Sequence, residues 1–109
     1  MLRDQQRHLK LGRGVGARAL DVDDLLIMCL LLEGCGANSI AKYLVLTPPA
    51  VSHRFYKYRQ AFGEDFFYRS KKKSLLSEKG LAIAHKAREA YCILLGADSN
   101  FSFESLFSK

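Results

Sequence analysis

Apolar residues run almost unbroken from Val22 to Leu32, interrupted only by Asp23 and Asp24. Such a segment has little polar face to offer water, so the pattern predicts a first helix buried nearly all round. Asp21, Asp23 and Asp24 favour its positive end, and Gly34 and Gly36 close it. Ile40, Ala41 and Leu44 then form the inward face of a short second helix running through Tyr43, with Asn38 or Ser39 as the expected N-cap. Val45 and Leu46 make the turn that follows, and their side chains are expected to plug the angle between two helices. Thr47-Pro48-Pro49 is the sharpest local signal in the chain. Threonine caps well, and proline at the first helical position gives up an N–H that would be unpaired anyway, so a third helix begins at Pro48.

On that helix Val51, Phe55, Tyr58 and Phe62 fall within a stripe about 60° wide at 100° per residue, which packs inward. Pro49, His53, Tyr56, Lys57 and Gln60 project on the opposite side, with Ser52, Arg54 and Arg59 on the flanks. Gly63 stops the helix. Phe66 to Ser70 and Ser74 to Ser77 read as two short strands around a turn made of Lys71, Lys72 and Lys73. Ser77 caps a final helix from Glu78 to about Leu95, on which Leu81, Ala84, Ala87, Tyr91, Leu94 and Leu95 recur at helical spacing. That stripe is longer than a small core needs and reads as a candidate dimer seam. The expected class is mainly α, with a small β-hairpin and a long C-terminal helix.

Length and charge narrow this picture. The chain has 109 residues, enough for one domain with a modest core. Its net charge of +6 is unevenly placed: residues 1–20 carry five Lys/Arg against Asp4, residues 21–41 are acidic, and residues 42–73 carry eight Lys/Arg against Glu64 and Asp65. A basic middle beside acidic or neutral helices is the footprint of a polyanion-binding surface. Residues 1–20, with Gly12-Arg13-Gly14-Val15-Gly16, read as a flexible basic arm, either a solvated tail or one whose arginines enter a minor groove. Cys29, Cys35 and Cys92 lack the paired spacing of zinc or redox sites, so free thiols and no metal are expected. The longest apolar run, Leu25 to Leu32, has eight residues, whereas a membrane span takes about 20. No secretory signal is evident either, and the expected location is cytoplasmic, on the nucleoid when bound to DNA.

Several of these signals occur together at a characteristic spacing: Ile40-Ala41 and Leu44, then Thr47-Pro48-Pro49-Ala50-Val51-Ser52, then Phe62-Gly63, Phe66-Phe67-Tyr68-Arg69 and Leu76-Ser77-Glu78-Lys79-Gly80. From about Asp24 to Leu95 the chain resembles the N-terminal winged helix-turn-helix domain and linker helix of LysR-type transcriptional regulators. The resemblance implies a winged helix-turn-helix over 21–80, a linker and dimerisation helix over 81–96, and a tail over 97–109. It implies that helix 48–62 enters the major groove of double-stranded DNA and that Thr47 and Ser52 hold phosphates or the helix end. It also implies a wing on backbone or minor groove, and a homodimer formed through Leu81, Ala84, Ala87, Tyr91, Leu94 and Leu95. The expected DNA contacts are Ser39, Thr47, Pro48, Pro49, Ala50, Ser52, His53, Arg54, Lys57, Arg69, Lys71, Lys72 and Lys73.

The chain also departs from the family. Pro48 stands where a base-reading polar residue is usual and has no side-chain donor, which shifts direct readout to His53, Arg54 or Lys57. Tyr58-Arg59 replaces a common leucine-glutamate pair. Only Ala97 to Lys109 follow the linker helix where the family has a sensing domain, so ligand control in the usual manner is not expected. Phe101, Phe103, Leu106 and Phe107 form an apolar cluster there, which either folds back on the domain or dimer or serves as a patch for a protein partner. An interaction module on the same frame, binding another protein through this tail, is the alternative to a DNA-binding regulator. Neither a nucleophile arrangement around His8, His53 or His85 nor a phosphate-binding glycine loop is recognisable, so no enzyme or cofactor is expected.

Overall fold

The computed structural model describes residues 20–71, 73–98 and 100–107; the basic N-terminal arm up to residue 19, Lys72, Ser99 and residues 108–109 lie outside them. Helix α1, Val22–Leu32, starts with a reciprocal cap in which Asp21 accepts from the Asp24 N–H at 3.0 Å and Asp24 accepts from the Asp21 N–H at 2.8 Å. The Asp24 N–H also reaches the Asp21 carbonyl at 3.0 Å, so side chain and backbone of Asp21 together hold a donor that a helix start leaves open. Helix α2, Ala37–Leu44, has Gly36 as N-cap and no side-chain cap. Asn38 and Ser39, expected to cap it, fall inside its first turn instead.

The α2 C-terminus corrects a second expectation. Val45 adopts a left-handed conformation with φ 54°, which lets its own N–H reach Lys42 O at 3.3 Å and the Leu46 N–H reach Ala41 O at 2.8 Å. Those bonds satisfy carbonyls that the helix end leaves open. The Val45 side chain is left 89% exposed rather than plugging the angle, and Leu46 alone of the two packs against the core. Helix α3, Pro48–Phe62, begins as its Thr-Pro-Pro start predicts, with the Thr47 hydroxyl accepting from the Ala50 N–H at 3.2 Å. It ends at Gly63, where φ is 119°.

A single 3-10 turn, Glu64–Phe66, leads into a two-stranded antiparallel hairpin of β1, Phe67–Ser70, and β2, Lys73–Leu76. Its register runs from Phe67 opposite Leu76 to Ser70 opposite Lys73. Phe67 and Leu76 are buried on one face, whereas Tyr68 and Leu75, paired on the other, are exposed. Phe66, expected in the strand, is instead drawn fully into the core between Tyr58, Phe62 and Phe67. Its carbonyl accepts from both the N–H and the hydroxyl of Ser77 at 3.1 and 3.0 Å. Ser77 caps helix α4, Glu78–Leu95, as expected, by accepting from the Gly80 N–H at 3.0 Å, and the strand before it ends at Leu76 rather than including it. A Cβ on Gly80 would collide with the Phe66 carbonyl, so only glycine lets α4 start this close to the hairpin.

The core is built chiefly from α1 lying along α4, completed by Ile40, by the Val51, Phe55 and Tyr58 stripe of α3, and by Phe66, Phe67 and Leu76. Ala84 and Ala87, expected on a dimer seam, are inside this core at 0% and 7% exposure. Their small side chains permit the close approach of α1. Residues 100–107 fold back over the same region and end in a 3-10 turn, Glu104–Phe107. Phe103 is fully buried, stacked on Tyr91 at 5.4 Å and set against Phe101 at 5.0 Å, with the Arg88 guanidinium 5.3 Å from its ring centre. Phe107 stacks on Tyr43 at 4.9 Å. Of the two readings of the Phe101, Phe103, Leu106 and Phe107 cluster, the fold-back on the domain is therefore the one observed, and only Leu106 remains largely exposed.

Candidate nucleic-acid interface

The outward face of α3 presents Pro48, Pro49, Ser52, His53, Tyr56 and Gln60 to solvent. His53 and Tyr56, one turn apart, lie ring over ring with centroids 6.3 Å apart. Thr47 is exposed, but its hydroxyl is taken up in holding the helix end, and Ala50 is half-buried behind it. This face adjoins a groove of about 560 Å³ lined by Asn38 and Ser39 of α2, Ser52 of α3, and Arg69, Lys73 and Ser74 of the hairpin. The first turn of α2, uncapped by any side chain, therefore opens into the same space as two cations. Helix N-termini carry partial positive charge and free N–H groups, which favour an anion there.

On the hairpin, Arg69, Lys71 and Lys73 are exposed. Arg69 Nη1 lies 3.5 Å from Ser74 Oγ across the strand pair. Lys71 occupies the turn with φ 50°, a left-handed conformation that matches the twist of a tight hairpin connection. Lys72, the middle residue of the basic tip, is outside the described residues.

Lys57, which spacing places on the outward side, and Arg54, which it places on the flank, both turn toward α1 instead of standing free for DNA. Arg54 Nη1 sits 2.9 Å from both Asp21 Oδ1 and Asp24 Oδ1, and Lys57 Nζ sits 3.3 Å from Asp24 Oδ2. The Tyr58 hydroxyl donates to Asp24 Oδ1 as well. Asp24 is completely buried, and a carboxylate stranded there without partners would cost several kcal/mol. Three donors from one helix offset that cost and pin α3 to the start of α1. Burial and the neighbouring Asp24 carboxylate push the Tyr58 hydroxyl pKa far up, which keeps it a donor. Desolvation raises the Asp21 pKa, but the Asp24 N–H and the Arg54 guanidinium outweigh it, for a net lowering. Sequence reasoning missed this network because Asp24 reads there as a helix-start charge. The one available signal was its position inside an otherwise apolar run.

The dimer-seam residues divide in the same way. Leu81, Leu94 and Leu95 are exposed at 41%, 65% and 48%, whereas Ala84 and Ala87 belong to the core and Tyr91 packs on Phe103. Ile93, outside the predicted stripe, is the most exposed large apolar residue of α4 at 76%. The Cys29 and Cys35 thiols are buried, and burial pushes their pKa values up to about 12 and about 11, so they stay protonated at neutral pH. Among the described residues, no group of three or more His, Cys, Asp or Glu side chains is placed to hold a metal ion, and no helix is long and apolar enough to cross a membrane. No family model, curated protein or solved structure matches the chain.

Proposed function

We propose that this protein is a sequence-specific double-stranded DNA-binding regulator built as a winged helix-turn-helix, similar to the DNA-binding domain of LysR-type regulators. In this reading α2 and α3 are the helix-turn-helix, α3 lies in the major groove, and the β1–β2 hairpin is the wing on the adjacent backbone or minor groove. The observation that carries it is the groove itself, where the start of α2, the Ser52 edge of α3 and the Arg69 and Lys73 side of the hairpin meet. A phosphate seated there would meet N–H groups, hydroxyls and two cations at once, which fixes the register of a duplex before any base is read. Pro49, Ser52, His53 and Tyr56 would then face base edges, by hydrogen bonds from the polar groups and by apolar contact with thymine methyls.

A second copy fits the exposed apolar residues of α4, with Ile93 and Leu94 at the centre of the seam. Two copies would present two recognition helices to a roughly palindromic site, with half-sites about one helical turn apart or at a multiple of it.

Selection of bound duplexes from a random pool, followed by affinity measurements across salt concentrations, tests the proposal. A symmetric enriched motif is expected, with a log–log salt slope of about −0.9 per neutralised phosphate. Replacing Lys71, Lys72 and Lys73 with alanine should flatten that slope on every sequence, while His53→Ala should alter preference among sequences. No duplex binding at low salt would refute the proposal, and an unaltered slope in the lysine variant would refute the wing assignment.

A further inference from the structure

Arg54 and Lys57 stand on the helix proposed to enter the major groove, yet their side chains are only 20% and 18% exposed. Both converge on one carboxylate, Asp24, which is fully covered. Asp21, more than half exposed, takes the same Arg54 nitrogen from the open side. Two negative charges on α1 thus face two positive charges on α3, and the net field of this flank is small. Transfer of either cation to a DNA phosphate would leave Asp24 short of a partner in a place where water cannot reach it. A solvated phosphate at the surface is a poor competitor against that penalty.

Resting on the DNA-binding reading above, we infer that Asp24 is a positioning residue for specificity: it holds Arg54 and Lys57 against α1, so α3 meets the duplex with these two cations turned away from the phosphates. Phosphate neutralisation then falls to the hairpin and the α2 groove, and Arg54 and Lys57 contribute nothing to the salt slope. The consequence is selective binding. Two released cations on a major-groove helix would pair with phosphates of any sequence and strengthen non-specific binding first.

The test compares the wild-type protein with Asp24→Asn, which keeps the side-chain shape and removes the charge. Affinities for the selected duplex and for a random duplex are measured across salt, and acylation of Lys57 is followed by mass spectrometry. In Asp24→Asn the slope should steepen by about one to two units, the preference for the selected duplex should fall, and Lys57 should acylate faster. A merely structural role would lower affinity without steepening the slope. Should Asp24→Asn not fold, Lys57→Gln, which leaves Arg54 and Tyr58 on the carboxylate, asks the converse question and should leave the wild-type slope unchanged. A folded Asp24→Asn with the wild-type slope, or a Lys57→Gln protein whose slope drops by about one unit, overturns the inference while the DNA-binding reading stands. Absence of wild-type duplex binding overturns both.

Discussion

The Phe103 N–H donates to the Glu33 carboxylate at 2.6 Å, joining the end of α1 to a segment 70 residues further along the chain. The Glu104 N–H and the Ser102 hydroxyl donate to the same carboxylate at 2.9 and 3.2 Å. Glu33 therefore acts as a long-range cap for the Glu104–Phe107 turn and seats the Phe103 ring in the core. Glu33→Ala is expected to lose about 2 kcal/mol, since the bonds are charge-assisted but partly exposed. Phe103→Ala should lose about 3–5 kcal/mol through the cavity it leaves. Urea unfolding of both variants checks the ranking, and equal stability of Phe103→Ala and wild type would contradict the buried placement.

The same segment reaches α2 through Tyr43, whose hydroxyl donates to the Glu104 carboxylate. That hydrogen bond, with desolvation behind it, pushes the Tyr43 pKa from 10.0 to about 12. A raised folded-state pKa means the contribution is fully present below pH 10 and is lost as pH rises through about 12. The stability gap between wild type and Tyr43→Phe should hold constant up to about pH 9 and shrink between pH 10 and 12. Thermal unfolding across that range measures it, and a gap independent of pH would count against the Tyr43–Glu104 bond.

Val45 is a β-branched residue held at φ 54° with 89% of its surface exposed. It gains little from burial and bears the strain of a left-handed backbone, which costs about 1–3 kcal/mol for such a residue. Val45→Asn should stabilise the protein by about 1 kcal/mol, because asparagine enters this region readily. A rise in Tm is the expected result; a fall would mean that the valine side chain makes a contact of its own.

Ile93 and Leu94 stand at the exposed end of α4. If they form the centre of a seam with a second copy, Ile93→Asp should shift the protein toward monomer in sedimentation velocity and weaken binding to a two-half-site duplex more than to a single half-site. Ala84→Leu probes the other side of the helix. It should destabilise the fold by overpacking, about 1–3 kcal/mol, because Ala84 is already closed in. Sedimentation of Ile93→Asp identical to wild type would remove this end of α4 from the seam.

What the sequence determined by itself lies within a few residues along the chain. The Asp21 and Asp24 cap, the Thr47-Pro48 start of α3, the Ser77 start of α4 and the lysine-tipped hairpin each depend on short-range hydrogen bonds or turn geometry. The Val51, Phe55 and Tyr58 stripe was legible because helical spacing alone brings those residues to one side. Tertiary structure alone decided where equal hydrophobicity goes: Ala84 and Ala87 meet α1 while Ile93 and Leu94 face water, and no pattern distinguishes a core face from an outer one on a helix apolar on both. It also decided that Arg54 and Lys57 answer to Asp24, and Phe103 to Glu33. The physical reason is distance along the chain, since a charge or ring finds its partner only after the turns at Val45 and Gly63 have set the angles between helices.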